Sequence, residues 1–226
     1  MEGLKMKKYL KVCGLTMAML LMLIGNAMAI TYTFPDLTDS WPGYTQLGGD
    51  HVGHPNIYSM AVTINDSNNN LESVVFSINT RLIWDSLFIN TGNVNYQAWD
   101  YYVIDTTLAN NSGATLYDVA ANYTYLFPAP QYNYRPDSPV GFASGITPDL
   151  SGLLIGVVMT GPRPGDEILT YSFNPGIVMG AGWAIGYTEY CANDVILGTA
   201  VPEPSIIILL GLGLIGLAGV RRRIKK

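Results

Sequence analysis

Two aspartates each follow a tryptophan, Trp84-Asp85 and Trp99-Asp100, in adjacent strand candidates. Facing one another at a carboxyl separation of roughly 5 to 9.5 Å, such a pair would supply the acid and base of glycoside hydrolysis. The competing reading is architectural: tryptophan packs, and aspartate ties down a turn through backbone N–H groups. Asp50, His51 and His54, in Gly49-Asp-His-Val-Gly-His-Pro55, mix oxygen and nitrogen donors of the kind zinc takes, with no fourth ligand to nominate. Asp66, Asn68, Asn70 and Glu72 offer alternating oxygens suited to calcium. The EF-hand template fails, because Leu71 stands where its glycine belongs and Ser77 where its bidentate glutamate belongs. Such Asx-rich runs are also ordinary turn formers. No cofactor is expected, and calcium is the cation this pattern leaves open.

Flat rings offer a second kind of chemistry, stacking on sugars. Trp99, Tyr101 and Tyr102 lie in one strand candidate, where aromatic residues usually fill the core. Tyr132, Tyr134 and Arg135 lie in Pro128-Ala-Pro-Gln-Tyr-Asn-Tyr-Arg-Pro-Asp-Ser-Pro139, whose prolines obstruct regular pairing. A long loop on a rigid scaffold is the better place for binding. Cys191 has no cysteine partner once the N-terminal segment with Cys13 is removed, so it reads as a small buried thiol.

The elements that must position these groups read as strands. Tyr58, Met60, Val62 and Ile64 alternate, and after Asn65-Asp-Ser-Asn-Asn-Asn70 the alternation resumes at Val74, Phe76 and Ile78. That is a hairpin with a polar turn. Further candidates are Leu82 to Ile89, Trp99 to Thr106, Thr115 to Phe127, Leu153 to Thr160, Glu167 to Phe173 and Ile177 to Tyr187. Turns are expected at Asn90–Asn93, Asn110–Gly113, Gly161–Gly165 and Asn174–Gly176. The pattern predicts an all-β fold, an antiparallel β-sandwich with a jelly-roll arrangement.

Residues 30–200 make one domain of ordinary size, and its only basic side chains are Arg81, Arg135 and Arg163. Its strong acidity argues against a nucleic-acid footprint. The lysines and remaining arginines sit at the two ends. Lys5, Lys7, Lys8 and Lys11 precede an apolar stretch, and Ala27-Met28-Ala29 then offers a signal-peptidase site, so residues 1–29 read as a signal peptide for the Sec translocon. At the other end, residues 205–220 would rise roughly 24 Å as a helix, enough to cross a bilayer with local thinning. Arg221, Arg222 and Arg223 follow at once and would anchor it on the cytoplasmic side.

Val201-Pro202-Glu203-Pro204-Ser205, the glycine-rich apolar run Gly211–Gly219 and the arginine cluster together resemble the PEP-CTERM sorting signal of exported proteins in Gram-negative bacteria. The resemblance covers residues 201–226. It implies recognition and cutting by exosortase near Pro202 to Pro204, with the protein held at the inner membrane before transfer to the cell surface or extracellular matrix. Stretches such as Trp84–Asn90 and Ile185–Val195 are also similar to other PEP-CTERM surface proteins, which brings no activity with it. The expected function is non-enzymatic: adhesion, or binding to exopolysaccharide in a biofilm matrix. The alternative is a polysaccharide-active hydrolase or lyase on the same scaffold.

Overall fold

The computed structural model describes residues 29–37, 41, 56–79, 85–105, 112–127, 139–161, 167–189, 192 and 194–200. The strands are β1 (Ala29–Pro35), β2 (Ile57–Asn65), β3 (Asn70–Ile78), β4 (Asp85–Asn90), β5 (Tyr101–Asp105), β6 (Ser112–Gly113), β7 (Thr115–Leu126), β8 (Gly141–Pro148), β9 (Leu154–Thr160), β10 (Glu167–Val178), β11 (Trp183–Glu189) and β12 (Val195–Ala200). One antiparallel sheet has the order β1-β2-β3-β10-β9-β6, the other β12-β11-β4-β5-β7-β8. No helix lies among the described residues, and the terminal segments 1–28 and 201–226 fall outside them.

The two sheets face each other across one core. Met60, Val62, Val74, Phe76, Leu169 and Tyr171 from the first sheet meet Leu87, Ile89, Val103, Ile185, Tyr187 and Ile196 from the second. Phe76 stacks on Tyr187 with ring centroids 4.0 Å apart, which fixes how the sheets sit on one another. Strands β2 from Met60 and β3 from Val74 bury every other residue, as their sequence alternation requires. By contrast β4 and β11 are buried at every position, so the second sheet is covered on both faces along these two strands, while β7 stays largely exposed.

A second aromatic cluster covers that outer face. Trp41, Phe88, Trp99, Tyr102, Phe142, Ala184 and Val195 form it. Phe142 arrives because the β7–β8 hairpin folds back over the sheet, with its register breaking between Val119 and Thr124. Trp41 sets its ring edge on Phe88 at 4.9 Å, and its indole N–H donates to the Pro139 carbonyl at 2.8 Å.

Three expectations need correction. A jelly roll lays successive strands on alternate sheets, whereas β1–β2–β3, β4–β5, β7–β8, β9–β10 and β11–β12 each stay together within one sheet. Each of these runs pairs antiparallel with its chain neighbour, through a four-residue turn at 66–69 between β2 and β3 and through longer connections elsewhere. The turn expected at Asn174–Gly176 is instead a bulge inside β10, where the ladder to β3 is interrupted between Ser172 and Ile177. Pro175 has no N–H to donate, so it fits at the interruption. Likewise Ser112–Gly113, expected to turn, pairs with β9.

Candidate functional site: the end that carries the tail

Three turns, the start of β1 and the end of β12 meet at one end of the sandwich. Ala29 of β1 pairs with Asn65 of β2, and Ala200 of β12 pairs with Trp183 of β11. The β2–β3 turn, the turn after β4 and the β10–β11 turn are tied together by backbone bonds: Met179 N–H donates to Asn69 C=O at 2.8 Å, and Gly180 N–H to Thr91 C=O at 2.6 Å. A side chain on Gly180 would stand 2.7 Å from that same Thr91 oxygen, so glycine is what lets the turns close. Between them lies a cavity of about 380 Å³ whose walls include Ile30, Tyr32, Asp66, Met179, Trp183 and Ala200. The first residue after the expected signal-peptide cut and the last strand residue before the tail thus share one cavity.

Asp66, Asn68, Asn70 and Glu72 are at this end, in and after the β2–β3 turn. Their geometry is that of a turn with side chains bonded locally. Asn65 Oδ1 accepts from Ser67 N–H at 2.9 Å, Asn68 Oδ1 accepts from Asn70 N–H at 3.0 Å, and Asn65 Nδ2 donates to Glu72 Oε1 at 2.8 Å. Among the described residues no three histidine, cysteine, aspartate or glutamate side chains gather as a metal-holding group.

Asp85 and Asp100 do not form a pair. Asp85 is fully buried at the start of β4 and accepts a hydrogen bond from Tyr171 Oη at 3.0 Å. Asp100 is exposed beyond the other end of that strand, where its N–H donates to Ile89 C=O and its Oδ2 accepts from Thr91 N–H at 2.7 Å and Thr91 Oγ1 at 2.8 Å. Four residues of strand separate Asp85 from Ile89, about 13 Å, which is more than a glycosidase pair spans. The neighbours of Asp85 across the ladder are Asp105 on β5 and Glu189 on β11. All three carboxylates are buried in a row that sequence reading missed, since only strand register reveals it.

The strand aromatics expected to be structural are so. Trp99 and Tyr102 are each 3% exposed, and Tyr101 packs against the inner core. Burial pushes the Tyr102 hydroxyl up to about 12; the hydrogen bond to Ser86 opposes this and the nearby Tyr117 adds to it. Tyr101 is also raised, by burial first and then by Asp118, Asp149 and Asp100. Tyr132, Tyr134 and Arg135, Asp50, His51 and His54, Cys191, the motif Val201 to Ser205, and Arg221 to Arg223 all lie outside the described residues.

The last strand, β12, leads through the five residues Val201–Ser205 into an apolar run that ends in Arg221–Arg223, the order of elements in a C-terminal delivery signal. The PEP-CTERM protein-sorting motif matches residues 200–223, so the chain carries a PEP-CTERM sorting motif at its C-terminal end. Its first matched residue, Ala200, is the last residue of β12. The motif implies export, a membrane-anchored sorting signal and processing by exosortase. No curated protein and no solved structure matches the chain.

Proposed function

We propose that the protein is a non-enzymatic component of the cell surface or extracellular matrix, exported through the Sec translocon, cut by signal peptidase, held at the membrane by residues 205–220 and then processed by exosortase. The carrying observation is the continuity of β12 with the sorting motif at Ala200, on the same cavity as Ile30. Both ends of the mature domain leave from one side, so the rest of the sandwich is displayed away from the anchor.

The ligand in this reading is exopolysaccharide, met by Tyr132, Tyr134 and Arg135. Support comes from how the segment bearing them is held: Val140 N–H donates to Leu126 C=O at 2.8 Å, closing its base beside Phe142. A long segment closed at its base by a strand pair suits a binding loop. Retention of the purified protein on the host's own polysaccharide tests the proposal. Tyr132→Ala with Tyr134→Ala should abolish it at least tenfold, and absence of retention by the unaltered protein would remove the binding half of the proposal.

A further inference from the structure

We infer that the end surface made by the β2–β3 turn, the turn at 91–93 and the β10–β11 turn lies against the lipid headgroups while the tail is inserted. The inference rests on the membrane anchoring proposed above. Its basis is the length of the neck. Ala200 is fixed in the ladder opposite Trp183, and β11 begins there, so the sheet offers Val201 no further partner strand. Pro202 and Pro204 lack the N–H that would extend a ladder in any case.

From Val201 to Ser205 the chain has five residues, which span at most about 18 Å when fully extended. The headgroup layer on one side of a bilayer takes about 5–7 Å of that length. What remains, about 12 Å, is shorter than the sandwich is wide and leaves no room for a free stalk. The turns at 66–69, 91–93 and 180–182 lie where β12 ends, so they are the parts of the domain brought closest to the membrane surface. Their side chains suit a zwitterionic headgroup layer: apart from Asp66 they are asparagine, serine, threonine, alanine and glycine, and the exposed apolar side chains Ile30, Val94 and Val178 stand beside them. The short neck therefore holds this end of the domain against the bilayer.

Gly92 provides a probe position, because a side chain added there meets nothing within 4 Å. Leu37, just past the far end of β1 and 81% exposed, provides the reference. In the protein from Ile30 to Lys226 with Cys191→Ser, a fluorophore on Gly92→Cys or on Leu37→Cys is read in phosphatidylcholine vesicles that carry a nitroxide on a fraction of the headgroups. Quenching at position 92 should exceed that at position 37 several-fold. Inserting about twenty glycine and serine residues between Ala200 and Val201 should bring the two to the same level. Equal quenching with the natural neck, in protein that floats with the vesicles, would overturn the apposition and leave anchoring intact. Protein that fails to float would overturn the anchoring and the apposition with it.

Discussion

Gly145 of β8 lies with its backbone against that of Tyr123 of β7, at φ +81°, where a side chain would collide with the Tyr123 Cα. This contact is the hinge of the hairpin that carries Phe142, Tyr123 and Tyr125 over the outer face of the second sheet. Gly145→Ala should lose stability on two counts, the left-handed backbone and the collision, by about 2–3 kcal/mol. A urea midpoint unchanged from that of the unaltered protein would contradict the account of the hinge.

Phe88 is the centre of the outer cluster, in ring contact with Trp41, Trp99, Tyr102 and Phe142. Phe88→Ala should cost about 3–5 kcal/mol, as truncations of fully buried phenylalanine do. Leu126→Ala, at a position 41% exposed, should cost well under half as much. The comparison of the two denaturation curves separates a true second core from a surface covering.

Tyr102 gives the outer cluster a pH signature. Its hydroxyl ionises near 12 in the folded protein and near 10 when unfolded, so between those values the unfolded chain binds fewer protons. Stability is therefore full below pH 10 and falls as pH rises from about 10 towards 12. Tyr102→Phe should flatten that fall, read as a smaller loss of thermal midpoint between pH 9 and pH 11 than in the parent.

Asp100 acts as a turn anchor through Thr91. Asp100→Ala should lower stability by about 1–2 kcal/mol by releasing the Thr91 N–H and hydroxyl bonds. Retention on polysaccharide should be unchanged. Loss of a polysaccharide-cleaving activity on this substitution would instead revive the hydrolase reading.

The strands with clean alternation were legible in the sequence: the β2–β3 hairpin follows directly from Met60, Val62 and Ile64 answering Val74, Phe76 and Ile78. What escaped were strands whose composition imitates something else. Gly141–Pro148 carries two glycines and a closing proline, which read as loop, yet β7 supplies it with a partner and the Gly145 bend needs that glycine. Ala29–Pro35 was obscured by the adjoining signal-peptide pattern, and Val195–Ala200 by the tail that follows it. Burial of β4 and β11 on both faces was illegible because the hairpin and Trp41 that cover them come from distant parts of the chain. The Asp85 and Asp100 pairing failed for a related reason. Sequence shows two equivalent Trp-Asp dipeptides, but one aspartate starts β4 and the other lies beyond its end.

The mass and location of the protein in a host with exosortase, beside a variant with Pro202, Glu203 and Pro204 all changed to alanine, test the central claim most directly. The account predicts that the unaltered protein is found outside the inner membrane with its C-terminus within Val201–Ser205, while the variant stays in the membrane fraction with residues 205–226 still attached. Identical mass and location for the two proteins, with the tail intact in both, would contradict it.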